Sequence, residues 1–286
     1  MLRGRYKKFA LLTGLWLCIP FFMIQVMQGV SIAKLHKKNV IEDCLPFIVA
    51  ACCQESFHKE VLCAMAIISR TNYTYMLEQK QITPKQLKDT YGYVNRKQYL
   101  EDKDYYRKIY EACKETEGMV LSYQNESIYC PYFFSCGGVT RDGFTYFQEN
   151  SFPYLIPVPS YRDEESDGYI SYHYFQITDF YDSKEVAGTE LEEPECLQIL
   201  EKDKAGYVLW IKAGGDIMGG EVFCEAYHLP SACFDVEQQG EQIRIICKGN
   251  GHGFGFSKFG GNQMAKDGYS YQRILKHYFP ELQLEM

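Results

Sequence analysis

Between Ile41 and Tyr75 the chain reads IEDCLPFIVAACCQESFHKEVLCAMAIISRTNYTY. An acidic entry and an apolar strand or turn lead into a run, Val61 to Ile68, where almost every position is apolar or small. A helix that is hydrophobic nearly all round is buried inside a domain rather than laid on its surface. The pattern predicts such a helix here, with Ser56 as its N-cap and Glu60 in its first turn, where the helix dipole favours negative charge. Arg70 ends the apolar run, and a charge there either pairs with a carboxylate or lines a site.

Downstream, Ile82 to Lys88 and Tyr91 to Tyr99 read as a polar connection. A second helix is predicted from about Asp102 to Thr116, with Tyr106, Ile109, Tyr110 and Cys113 at helical spacing and Gly118 as its stop. Met119 to Leu121 and Ser127 to Phe134, either side of a turn at Gln124-Asn125, read as a hairpin that delivers Ser135-Cys136-Gly137-Gly138-Val139-Thr140. The three prolines of Pro153 to Pro159 predict an extended segment outside any central strand. Asp163 to Pro194 reads as solvated surface. Lys202 to Gly214 is predicted as a hairpin, Gly219-Gly220-Glu221 as the start of a short helix, and Phe234 to Val236 and Ile243 to Cys247 as alternating strands. Six glycines between Gly249 and Gly261 surround His252 and leave no room for an ordinary strand or helix. Gln263 to Tyr278 closes the chain as one amphipathic helix. The fold class is α+β, with helices and β-hairpins around one domain.

A net charge of -7 and a pI near 5.5 argue against nucleic acid as a partner, because phosphate binding depends on clustered Lys and Arg. The 24 Tyr and 18 Phe offer either core or platforms for sugar rings and flat ligands. Arg3, Arg5, Lys7 and Lys8 precede an uncharged run from Phe9 to Ala33, long enough to cross a hydrocarbon core of roughly 30 Å. This divides the chain into a cytoplasmic basic segment (1–8), a single membrane anchor (9–33) and an extracytoplasmic body (38–286). A cleaved signal peptide is the rival, since Ser31-Ile32-Ala33 has the character of a cleavage site. Of 12 cysteines, 11 lie outside the span, and their spacings leave disulfides and buried thiols both open.

The ordered motifs LP-x-I-V-A, F-x-x-E-x-L-x-A-x-A-I-I-S-R-T, C-G-G-V-T, P-Y-L-x-x-V-P-S, G-G-E-V-F, L-P-S-A-C-F and G-H-G-F-G-F-S-x-F-G-G resemble the stage II sporulation protein D (SpoIID/LytB) family over about Val40 to Pro280. The resemblance implies a membrane-anchored, extracytoplasmic lytic transglycosylase that cuts peptidoglycan glycan strands in sporulation, engulfment or wall remodelling. It implies no required cofactor. Its partners would be glycan strands, the membrane through the N-terminal helix, and a cell-wall amidase or other engulfment proteins. In that family one glutamate acts first as general acid and then as base, which needs a carboxyl in an apolar setting; ordinary glycosidases use a carboxylate pair.

The family's glutamate position falls on Cys52 in this chain, and Glu55, three residues on, is the candidate catalytic carboxyl. Glu60 matches a family acid expected to cap the helix or pair with Arg70. By resemblance the substrate-binding set is Cys52, Arg70, Thr71, Gly137, Gly138, Thr140, His252, Gly253, Gly255 and Ser257. Lys258, Phe259 and Gly261 stand where the family usually has Gln, Tyr and Ala. Some members bind zinc in the region of Cys130 and Cys136; a zinc pair, a disulfide and two buried thiols are all open for these two. With Cys52 in the acid's place, a non-cutting glycan binder or amidase enhancer is the alternative to the enzyme. A further alternative makes Cys52 or Cys53 a nucleophile activated by His58 or His252.

Overall fold

The structure, a computed structural model, describes residues 40–91, 103–147, 152–180 and 197–286. The expected anchor at 9–33 lies outside these residues, and among them no helix is long and apolar enough to cross a membrane.

The stretch expected to open as a strand or turn is a helix, α1 (residues 40–52). Its Val40, Ile41, Cys44 and Ile48 recur at helical spacing and pack with Leu77 and Leu87. α2 (Lys59–Glu78) is the predicted buried helix, with every residue from Val61 to Asn72 buried. Its N-cap is His58, not Ser56, with Nδ1 accepting the Glu60 N–H. The polar connection after it contains a helix, α3 (Pro84–Tyr91). Thr83 Oγ1 accepts the Gln86 N–H while Gln86 Oε1 accepts the Thr83 N–H. This reciprocal cap, with Pro at the first helical position, is a start signal that outweighs the local polarity.

α4 (Lys103–Glu115) follows the predicted second helix closely. β1 (Val120–Tyr123) and β2 (Glu126–Ser127) form the predicted hairpin, with Gln124 and Asn125 at φ 54° and 64°, the paired positive φ values of a tight hairpin turn. β3 (Tyr132–Phe133) pairs in parallel not with its sequence neighbour but with β10 (Phe256–Ser257). The short helix α5 (Gly143–Phe147) comes next.

The segment read as solvated surface contains β4 (Ile170–Gln176), which pairs with β9 (Gln242–Lys248); β8 (Phe234–Gln239) flanks β9 on its other side. The three strands are antiparallel. Asp163, in the acidic run before β4, is fully buried. A second antiparallel sheet holds β5 (Leu197–Lys202), β6 (Val208–Ala213) and β7 (Asp216–Gly219), and leads into the short helix α6 (Gly220–Ala226).

The glycine-rich stretch also holds more regular structure than expected. α7 (Lys258–Lys266) runs through Gly260 and Gly261. A Cβ on Gly260 would stand 2.2 Å from Tyr278 Oη and 2.4 Å from Ser160 Oγ, so the glycine is there for close approach. The single closing helix is in fact two, α7 and α8 (Tyr271–Tyr278). Gly268, at φ 88°, donates to Ala265 and Tyr269 donates to Met264, the pair of bonds that ends a helix at a left-handed residue. β11 (Gln283–Glu285) returns to β1.

One hydrophobic core surrounds α2, drawing on α4, β1 and α8. Another fills the space between the β4–β9–β8 sheet, the β5–β6–β7 sheet and α6. The Gly249–Gly255 loop and β3 lie where the two meet, since Phe254 belongs to the first core while Phe133 and Cys247 belong to the second.

Candidate functional site

The end of α1 and the start of α7 are brought together by the turn at residues 53–58. Phe57, buried, anchors that turn, and the His58 N–H donates to Asn262 Oδ1 at 2.8 Å. Cys52 Sγ then lies 2.9 Å from Tyr132 Oη on β3. The Cys52 carbonyl accepts from Lys258 Nζ at 2.8 Å, and that ammonium sits 5.5 Å from the centroid of the Tyr132 ring. Around this point stand more half-buried tyrosines. Tyr73 and Tyr91 join their hydroxyls at 2.8 Å, and the rings of Tyr75 and Tyr129 lie 6.4 Å apart.

Burial pushes the Tyr132 phenol up, reinforced by the neighbouring Cys52 thiol. Burial and then the bond to Tyr91 push Tyr73 up, and burial raises Tyr129. These phenols are therefore neutral hydroxyls at neutral pH, able to donate and to offer flat faces. The Cys53 thiol is also pushed up by burial. Among the described residues, the side chains meeting at Cys52 supply aromatic faces, hydroxyls and one ammonium, but no carboxylate. Glu55 is exposed in the turn. Such a surface can hold a polyhydroxylated ligand by stacking and hydrogen bonding.

The other expected site residues divide sharply. Arg70 is buried and fully engaged: its guanidinium donates to Glu42 at 2.6 and 3.1 Å and to the carbonyls of Met119 and Cys113. Its carboxylate partner is thus Glu42, while Glu60 accepts the Tyr271 N–H at 2.7 Å and caps α8. Thr71 Oγ1 donates to Ile67 and accepts from Leu121. Thr140 Oγ1 accepts the Val158 N–H. Ser257, fully buried, donates to Asp163 and accepts the Gly260 N–H as the cap of α7. The polar atoms of Arg70, Thr71, Thr140 and Ser257 are held by internal partners, and in this role the four residues build the scaffold.

Gly137 and Gly138 are partly exposed; Gly137 packs so closely that a Cβ would meet Cys233 Sγ at 2.6 Å, and Gly138 takes φ 106°. Gly253 and Gly255 are buried at φ 81° and 77°, where a Cβ would strike the Tyr207 ring and the Pro131 carbonyl. His252 is partly exposed at the loop's edge. Its Nδ1 accepts the Phe254 N–H at 3.1 Å and its ring meets Phe133 edge-on. Burial, with Arg141 adding to it, lowers its pKa to about 4, so the imidazole is neutral. No Cys–His hydrogen bond joins Cys52 or Cys53 to His58 or His252 among the described residues, so the nucleophile arrangement is not assembled.

Cys130 and Cys136 sit in different cores and are both free. The Cys130 backbone is clasped by the Asn72 amide, and Asp163 accepts the Cys136 N–H. Among the described residues no three His, Cys, Asp or Glu are grouped to hold a metal. Two thiols in separate cores do not fit a four-ligand zinc site.

Three residues that shape this region carry no motif signal. Tyr132 is one aromatic in an aromatic-rich run. Asn72 sits at the polar end of a helix. Arg141 is wholly buried: it pairs with Asp203 at 2.6 Å and Glu221 at 2.5 Å and has the rings of Tyr146, Tyr207 and Phe254 each 4.5 Å from Cζ. Its backbone N–H holds the Gly253 carbonyl and its Nη1 the His252 carbonyl, so it sets the glycine-rich loop. Only its place directly after the C-G-G-V-T motif could have drawn notice.

Comparison with known proteins finds similarity to one group of proteins. Residues 32–123 match the family model described as Stage II sporulation protein, SpoIID. Stage II sporulation protein D of Bacillus amyloliquefaciens is 32% identical over 174 residues, 60% of this chain and 49% of that protein. Stage II sporulation protein D of Bacillus subtilis (strain 168) is 29% identical over 179 residues, 62% of this chain and 51% of that protein. The chain spans about half the length of the curated relatives it matches. Over these stretches the chain is similar to stage II sporulation protein D.

Proposed function

We propose that this protein engages peptidoglycan glycan strands outside the membrane and holds them at the tyrosine floor beside Cys52 without cutting them. The observation that carries this reading is the Cys52–Tyr132 contact. Where the family's reaction needs a carboxyl to protonate the glycosidic oxygen and then accept a proton, this chain has a thiol bound to a neutral phenol, with Lys258 alongside. A thiol is a weak hydrogen-bond donor with a reference pKa of about 8.5, poorly matched to both halves of that cycle. A strand holder anchored by the segment at 9–33 would present glycan to a partner, such as a cell-wall amidase.

The lytic transglycosylase reading survives through one feature: Glu55 is exposed three residues beyond Cys52. Incubation of the purified protein with glycan strands stripped of peptides, followed by mass spectrometry for anhydro-ended fragments and by pelleting, separates the two. Binding without fragments is expected. Fragments that disappear in Glu55→Gln overturn the non-cutting reading and assign the acid to Glu55.

A further inference from the structure

On the side of α7 turned about half a turn away from Lys258, a cleft of about 540 Å³ opens between α7, α8 and residues 159–162. Its floor is rigid. Ser160 Oγ and Tyr278 Oη are hydrogen-bonded at 2.7 Å directly against the bare Cα of Gly260. Its rim carries Tyr161, 66% exposed, and its walls include Met264, Tyr269, Arg273, Lys276 and His277. This volume lies within the usual range for small-ligand sites.

The charges on the walls are unequal in availability. Arg162 is neutralised by Glu165 and Asp267. Arg273 has no carboxylate partner among the described residues; its guanidinium is stacked on Tyr269, 4.4 Å from the ring centroid. A guanidinium held through its face keeps its N–H edge for a planar acceptor. Arg273 also sits in the first turn of α8, where the helix dipole disfavours a cation, so dipole compensation does not explain it. One turn on, Lys276 Nζ uses one donor on the Pro280 carbonyl at 2.5 Å and has two more. His277 Nε2–H donates to the Pro159 carbonyl at 2.7 Å. In a chain of net charge -7, two unneutralised cations at one concave surface make a local focus for an anion.

We propose that this cleft binds a carboxylate borne on a flat or apolar body. The carboxylate sits on Arg273 and Lys276 by charge-assisted hydrogen bonds, and the body lies against Tyr161 and Met264. The inference stands apart from the glycan reading, since it concerns the opposite face of α7. A carboxylate of this kind is carried both by the free end of a short peptide and by an acidic sugar.

Calorimetric titration of the purified protein tests it with three probes: N-acetyl-Ala-Ala as the free acid, the same dipeptide as its amide, and N-acetylmuramic acid. At least one carboxylate probe is expected to bind, the amide at least tenfold more weakly than the acid, with affinity falling as salt rises. The tighter of the two acids assigns the source. Arg273 and Lys276 are exposed, so Arg273→Ala with Lys276→Ala should melt like wild type and lose at least tenfold in affinity. Equal binding of acid and amide, binding by the double variant like wild type, or no binding of either acid overturns the proposal.

Discussion

Cys52 Sγ and Tyr132 Oη lie 2.9 Å apart across 80 residues of chain, joining the end of α1 to β3. The contact puts a thiol and a neutral hydroxyl at the position where the sequence resemblance implies a catalytic carboxyl. Cys52→Glu would set a carboxylate between the Tyr132 hydroxyl and the Lys258 ammonium. Gain of anhydro-ended fragments from stripped glycan strands is expected if the rest of the site is intact, read by mass spectrometry against wild type.

Tyr132 is expected to contribute more to binding than to stability. Tyr132→Phe removes one hydrogen bond of about 1 kcal/mol and keeps the ring, so pelleting with glycan strands should weaken only a few-fold. Tyr132→Ala removes the ring that carries Lys258 and should weaken pelleting by about tenfold. Equal pelleting by wild type and Tyr132→Ala would place the strand elsewhere.

Arg141→Met should be among the most destabilising single changes in the chain. It leaves the Asp203 and Glu221 carboxylates without their buried counter-charge, a loss of about 3–5 kcal/mol. It also frees the His252 carbonyl, which Nη1 holds. Burial outweighs the Arg141 charge in holding the Glu221 pKa above the usual carboxylate range, so removing Arg141 should raise it further. Urea denaturation measures the first effect and a shifted pH-stability profile the second.

Asn72→Ala strips both bonds from the Cys130 backbone inside the α2 core. Two buried backbone groups left unsatisfied should cost about 2–4 kcal/mol. Chemical denaturation checks it, with the exposed Gln79→Ala as a neutral control.

His252 should make the protein less stable as pH falls from about 6.5 to about 4. Its pKa is about 4 when folded against 6.5 as the reference, so in that window the unfolded chain binds the extra proton and stability rises with pH. The contribution is at most about 3 kcal/mol, complete above pH 6.5 and absent below pH 4. His252→Gln should flatten that part of the profile, read as the difference between the two melting curves over pH.

Local periodicity determined much of the architecture. The all-round hydrophobicity of Val61 to Ile68 is enough to bury α2, and the alternation in Ile243 to Cys247 is enough for a strand. Gln124-Asn125 makes the hairpin turn through its own backbone preference. Two of the differences, at α3 and β4, share a cause, since local polarity masks a specific signal there. α3 looked like loop although Thr83-Pro84-Lys85-Gln86 is a capping box, and β4 looked like surface although three of its residues are aromatic.

By itself the sequence determined the likeness to stage II sporulation protein D and the α+β class, because these depend on residue identity in order along the chain. Only the tertiary structure decided what each polar side chain does. The resemblance assigns Arg70, Thr71, Thr140 and Ser257 to substrate binding, yet their hydrogen bonds go to partners inside the scaffold. Tyr132, Lys258 and Cys52 gather into one surface from positions far apart in the chain. Hydrogen-bond satisfaction and parallel pairing of β3 with β10 are long-range properties, and no local pattern encodes which donor finds which acceptor.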